Sequence, residues 1–175
     1  MNKKTSQVRF LALSAVIAAL YAVLTYAAAA MNLAYGPFQF RFSEALCVLA
    51  AFTPAAIPGL TIGCFVANLA SPLGPVDWIC GTGATLLAAL AAYWLRKVPT
   101  GRIPWLIPLP SVVFNALIVG AEIAFLSGEA AFWPTFWLNA LWVGAGEAVV
   151  CYALGLPLYV TLQKIPPLNR FLSHP

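Results

Sequence analysis

FLALSAVIAALYAVLTYAAAAM, residues 10–31, decides what kind of protein this is. The run carries no charge, and as a helix rising about 1.5 Å per residue it reaches across the roughly 30 Å hydrocarbon core of a bilayer. Lys3, Lys4 and Arg9 precede it, and the small residues Ala27 to Ala30 close it, as in a signal peptide. A signal core is about 7–15 residues long, however, so this run reads as a retained first transmembrane helix.

The rest of the chain agrees. Of 175 residues, 62% are hydrophobic and only 8% charged, with a mean hydropathy of +0.89. Soluble domains carry about 25% charged residues, so lipid must supply part of the solvent here. The length suits one integral membrane domain over 1–175. The net charge of +4 is not gathered into a basic, aromatic-laced patch, which argues against nucleic acid. Cys47, Cys64, Cys80 and Cys151 stand apart in apolar runs and read as buried free thiols. The single histidine, His174, lies one residue from the end. With no Walker A loop, metal cluster or nucleophile–base pair, neither an enzyme nor a cofactor is expected, and uphill transport needs a partner or an ion gradient.

Apolar runs and Pro/Gly breaks give an all-α bundle of six transmembrane helices at about 10–31, 43–54, 57–70, 78–95, 105–126 and 133–163, the last bent near Gly155 and Pro157. NLAYGPFQFRF, residues 32–42, is a loop turning at Gly36-Pro37, and residues 43–70 form a tight hairpin of short helices or a re-entrant pair. With the N-terminus cytoplasmic, Lys3, Lys4, Arg9, Arg96, Lys97, Arg102, Lys164 and Arg170 fall inside and only Arg41 outside. Positive charge favours the inside, so both termini are expected in the cytoplasm.

Arg41, Glu44, Asp77 and Glu129 then gather near the outer face, with Glu122 deeper and Glu147 deeper still. Ionisable groups at membrane depth face a cavity or a partner. Arg41 and Glu44 either pair or open into a vestibule, or else Ser43 caps the helix and Glu44 meets its dipole. Asn115-Ala-Leu-Ile-Val-Gly-Ala-Glu122 is echoed by Asn139-Ala-Leu-Trp-Val-Gly-Ala-Gly-Glu147. Across an antiparallel hairpin turning near Ala130 and Ala131, each acid stands level with the other helix's amide. The outer pair, Glu122 and Asn139, is expected to bind ligand; the inner pair, Asn115 and Glu147, to brace the helices, with Gly120, Gly144 and Gly146 allowing close approach. Asn68 and Trp137 approach the same ring, while Phe38, Phe40 and Phe42 alternate in the first loop as an aromatic flap. An acceptor-rich ring suits a ligand with several N–H donors, such as a guanine-like edge or an amine. Ala15/Ala19 and Ala18/Ala22 are small-xxx-small pairs for a partner helix or for packing within the chain.

FRFSEALCVL (40–49), FTPAAIPGLTIGCFVANL (52–69), NALIVGAE (115–122) and VGAGEAVVCYALGLPL (143–158) together resemble the substrate-binding S components of energy-coupling factor (ECF) transporters. Among these the QueT family of proposed queuosine-precursor transporters is the most similar. The resemblance implies a pocket on the extracellular side under the first loop and a ligand such as 7-cyano- or 7-aminomethyl-7-deazaguanine. It further implies docking through the Ala15/Ala19 and Ala18/Ala22 face on a transmembrane T component driven by two cytoplasmic ATPases, in the bacterial cytoplasmic membrane. Two other readings stay open: an S component for another vitamin-like or amine solute, and a stand-alone carrier relaying protons through Glu122 or Glu147.

Overall fold

The computed structural model describes residues 3–35, 38–98 and 104–166, all helical or in turns between helices. Gly36-Pro37, Arg102, Arg170 and His174 lie outside these residues. Helix α1 (Lys3–Ala30) is followed by a 3₁₀ segment (Phe42–Ala51), α2 (Ala56–Asn68), α3 (Pro75–Leu95), α4 (Leu109–Leu126) and α5 (Phe132–Val150), and a π-helical turn (Cys151–Gly155) leads into α6 (Leu156–Lys164).

Among the described residues four stretches are long and apolar enough to cross a membrane: Ser6–Ala30, Pro75–Leu95, Leu109–Leu126 and the continuous Phe132–Lys164. The 3₁₀ segment and α2 are apolar but short. Each is about 20 Å long by its rise per residue, so neither spans the roughly 30 Å core alone. The expected six helical elements are present, but two of them are not full spans.

Helix boundaries differ from the apolar runs for local reasons. Lys and Arg are good helix formers, so α1 starts at Lys3 rather than Phe10. It ends where Asn32 takes a left-handed φ of 57°, with Leu33 N–H donating to Ala28 C=O at 2.9 Å and Asn32 N–H to Ala29 C=O at 2.9 Å. That bond pattern closes the last turn, and Asn tolerates the conformation. Helix α3 begins at Pro75, three residues before Trp78, because Gly74 (φ 69°) turns the chain and Pro is tolerated at the first helical position. Helix α4 waits until Leu109; Trp105 to Pro108 form turns. The expected bend near Gly155 and Pro157 takes the form of the π turn. Pro157 has no N–H to give the turn before it, and a widened turn relieves the clash of its ring.

The expected α-helix over 43–54 is a 3₁₀ helix instead, and Ser43 to Ala50 are all buried. It lies at the centre of the bundle: Leu46 to Ala50 share one apolar cluster with Ile17 and Tyr21 of α1, Leu60 and Cys64 of α2, Ala89 and Ala92 of α3, and Tyr159 and Leu162 of α6. Packing on every side sets its winding, and this overrides helical propensity. Helices α1 and α2 meet at Gly59 and Gly63. A Cβ at Gly63 would stand 2.7 Å from the Ala18 carbonyl oxygen and 2.7 Å from Tyr21 Cβ. Ala18 and Ala22 are therefore taken up within the chain, whereas Ala15 and Ala19 are exposed.

Candidate functional site

Period-two alternation in the first loop turns Gln39 and Arg41 inward and Phe38 outward. Gln39 is 2% and Arg41 3% exposed. Arg41 ties three elements together. Its Nη2 lies 3.4 Å from Asp77 Oδ2 on α3, its Nη1 donates to Asn68 Oδ1 of α2 at 3.2 Å, and its Nε donates to the Ala34 carbonyl at 3.1 Å. The guanidinium also sits 5.3 Å over the Tyr35 ring. Burial opposes the charge on Arg41, but Asp77 outweighs it and raises the guanidinium pKa, so Arg41 stays charged. Asn68 Nδ2 donates to the Asp77 carbonyl at 3.0 Å. Only glycine fits beside this pair: a Cβ at Gly81 would lie 2.5 Å from Asn68 Nδ2 and 2.5 Å from Asp77 Oδ1.

Arg41 and Glu44 do not pair with each other, and Ser43 is not a helix cap. The Ser43 hydroxyl accepts from Thr25 Oγ1 at 2.7 Å. Glu44 accepts from the Tyr21 hydroxyl and from Cys47 Sγ at 3.1 Å; residues three apart eclipse on a 3₁₀ helix, which sets Cys47 under Glu44. Glu147 accepts from Cys151 Sγ at 3.7 Å and lies within electrostatic reach of Glu44.

Helices α4 and α5 pack antiparallel in the register the repeated motif implies. A Cβ at Gly120 would touch Ala140 Cα at 2.8 Å, and one at Gly144 would lie 3.2 Å from Ala116 Cβ. Glu122 is thus level with Asn139, and Asn115 with Glu147, to within two residues. Level does not mean facing. Glu122 lies two residues beyond the contact at Gly120, about 200° round the helix, and so points toward α3. The expected acid–amide layers do not form: Asn115 Nδ2 and both Glu122 oxygens have no hydrogen-bond partner, and Asn139 Nδ2 donates to the Thr135 carbonyl of its own helix at 2.8 Å.

Glu122 is only 4% exposed. It shares a groove of about 490 Å³ with Val76 and Cys80 of α3 and Phe125 and Phe132, and it feels the charges of Asp77 and Arg41. Asn115, seven residues earlier, lies on the same face of α4. Gln39 Nε2 is also buried without a partner, and its backbone carbonyl rests against Gly146 of α5. An unsatisfied buried polar group costs about 1–3 kcal/mol. Gln39 lies on the first loop, and Asn115 and Glu122 lie on α4.

Arg41, Asn68 and Asp77 therefore form one knot, Glu44 and Glu147 a second, and Glu122 and Asn115 an open pair. Trp137 joins none of them: it is 57% exposed, with its ring edge against Phe136. Glu129 is likewise exposed and accepts from Thr135 Oγ1 at 2.8 Å. The flap aromatics are engaged, Phe38 lying 4.6 Å from Trp142 between ring centroids. Gln39, Tyr21 and Cys47 were not anticipated from the sequence. Gln39 was signalled by the polar phase of the alternation that drew attention to the phenylalanines. Among the described residues no group of three or more His, Cys, Asp or Glu side chains is placed to hold a metal ion.

Comparison with known proteins gives two matches in accord with this architecture. The profile of the family described as QueT transporter matches residues 11–164. The queuosine precursor transporter QueT of Lactococcus lactis subsp. cremoris (strain MG1363) is 42% identical over 73 residues, which take in 42% of this chain and 43% of that protein. No solved structure matches.

Proposed function

From its membership of the QueT transporter family, to which the chain belongs, we propose that it captures a queuosine precursor of the 7-deazaguanine class. The single observation that carries this reading is the open pair on α4. Glu122 offers two buried acceptor oxygens and Asn115 a buried N–H, all unmatched within the chain. Two helical turns, about 10 Å, separate the two residues along the axis, room for a bicyclic ring between their side chains. A deazaguanine supplies N–H donors to the acid and a carbonyl oxygen to the amide. Arg41, Asp77 and Asn68 fasten the first loop, and Asn139 of α5 stands level with Glu122.

Within this reading the chain is the S component of an ECF-type importer in a bacterial cytoplasmic membrane. Both termini are cytoplasmic, the ligand is taken from outside, and a T component with two ATPases supplies the energy. The absence of a phosphate-binding loop from the sequence supports an external energy source. Ala15 and Ala19, exposed on α1, are the small residues left free to meet a partner helix. Isothermal titration of the detergent-purified protein with 7-aminomethyl- and 7-cyano-7-deazaguanine, and with guanine, tests the ligand. Saturable binding of a deazaguanine upholds the reading, and no heat from any of them refutes it. Proton-driven uptake by the chain alone in proteoliposomes would refute the S-component role.

A further inference from the structure

One end of the bundle carries basic side chains and no acid. Ala92 near the end of α3, Tyr159 and Leu162 of α6 and Ile17 in the first half of α1 share one apolar cluster. The end of α3, the end of α6 and the start of α1 therefore lie toward the same end, where Lys4, Arg96, Lys97 and Lys164 are exposed. The chain has five acidic residues, and none joins them. Asp77 opens α3, and Glu122 and Glu129 lie late in and just after α4, toward the opposite end. Glu44 and Glu147 are buried in the core. Arg96 and Lys97 are further set apart by what surrounds them. The Arg96 guanidinium lies 3.7 Å from the centre of the Tyr93 ring, which holds it against the helix. The Lys97 N–H donates to the Trp94 carbonyl at 3.3 Å, and a three-residue turn of this kind sets Lys97 over Trp94. Trp94 and Leu87 are both exposed. Seven residues apart, they share one face of α3 and form an apolar stripe about 10 Å long beneath the two charges.

We propose that Arg96 and Lys97 hold the headgroup of an anionic phospholipid whose acyl chain lies along Trp94 and Leu87. The guanidinium presents two parallel N–H donors to a phosphate, and the ammonium adds a second, compact charge. Indole rings favour the headgroup level of a bilayer, which puts Trp94 at the junction of headgroup and chain. The stripe fits within one leaflet, about half of the roughly 30 Å hydrocarbon core. A soluble anion would meet the charges and leave the stripe unused, whereas a phospholipid meets both. The site is independent of the ligand pocket near Glu122 and stands on the fold alone.

The test incubates the detergent-purified full chain with equimolar dioleoyl phosphatidylglycerol and dioleoyl phosphatidylcholine, which share their chains and differ in net charge. Native mass spectrometry then counts the lipid that stays bound. Wild type is expected to retain phosphatidylglycerol over phosphatidylcholine by about fivefold or more, the effect of one basic residue beside an anionic headgroup. Arg96→Gln with Lys97→Gln should bring that ratio close to unity. Lys4→Gln with Lys164→Gln removes the same charge from the same end and should keep the preference. All four side chains are exposed, so both double variants should melt close to wild type. Glycerol 3-phosphate in excess over the lipid should displace none of it. Equal retention of the two lipids by wild type, or a preference that survives in the Arg96 and Lys97 variant, overturns the proposal. An equal loss in both double variants overturns it too, since the attraction would then be diffuse. Displacement by glycerol 3-phosphate would show a site for a soluble anion and overturn the lipid assignment.

Discussion

Replacing Arg41 by alanine removes the one buried cation among the described residues and leaves Asp77, which has no exposed surface, uncompensated among α2, α3 and the first loop. Three contacts go with it: the ion pair at 3.4 Å, the bond to Asn68 at 3.2 Å and the bond to the Ala34 carbonyl at 3.1 Å. Breaking a buried pair by removing one partner costs about 3–5 kcal/mol. For a chain of this size each kcal/mol moves the melting midpoint by about 2–4 °C, so a fall of roughly 6–20 °C is expected. The double variant Arg41→Met with Asp77→Asn removes both charges, keeps much of the volume, and leaves the Asn68 bond to the residue-77 carbonyl intact. Such neutral replacements of a buried pair are often close to wild type in stability, so most of the loss should be recovered. Tryptophan fluorescence on heating in detergent reads both midpoints, with Asp77→Asn alone completing the cycle. A double variant melting as low as Arg41→Ala would refute the reasoning, since the loss would then come from the guanidinium's packing and not from the stranded acid. An Arg41→Ala midpoint within about 2 °C of wild type would refute it as well.

Gly120→Val should destabilise by about 1–3 kcal/mol, because its Cβ would meet the Ala140 backbone at 2.8 Å. Gly83→Ala, with nothing within 4 Å of the added carbon, should be neutral or stabilising by up to about 1 kcal/mol, and a melting curve for each checks the contrast. Tyr21→Phe strands a buried oxygen of Glu44 and should cost about 1–3 kcal/mol by the same melt; an unchanged midpoint would show that the bond does not matter. Trp137→Ala removes an exposed ring and should leave ligand affinity within about twofold of wild type, whereas a loss of tenfold or more by titration would put that ring back at the ligand.

Much of the fold can be read from the chain because lipid makes a simple demand. A run such as residues 10–31 must be helical, since nothing else satisfies its backbone in hydrocarbon. The same demand says nothing about where a helix ends, because hydropathy marks the bilayer and not the hydrogen bonds. Lys3 to Arg9 continue α1 beyond the apolar run, and Pro75 starts α3 before it. Nor does it distinguish α from 3₁₀ winding at Phe42–Ala51, where neighbours on all sides decide. That Arg41, Asn68 and Asp77 belong to one ring was legible because charges are scarce in this chain, and a scarce charge at membrane depth needs a partner; that Asp77 and not Glu44 is the partner of Arg41 was not. That Glu44 would turn to Tyr21 instead of Arg41 was not legible; it depends on the close α1–α2 approach at Gly63, which brings Tyr21 to the centre.

The repeated motif shows where reading by sequence goes astray and how it can be put right. Distance from the hairpin turn fixes which residues stand level, and that register was correct. The direction a side chain takes is fixed by its separation from the contact residue, at about 100° per residue. Gly120 and Gly144 are the contact residues, as their near approach to Ala140 and Ala116 shows. Glu122 follows the first by two residues and Glu147 follows the second by three. The extra residue, Gly146, turns the second acid about 100° further than the first. Two copies that look equivalent in letters are therefore not equivalent in space. Glu147 comes round beside Glu44 at the core, while Glu122 faces α3 and finds no donor. Gly146 itself leaves room for the Gln39 carbonyl to rest on α5. One residue thus separates a braced acid from an open one, the acid proposed to meet the ligand.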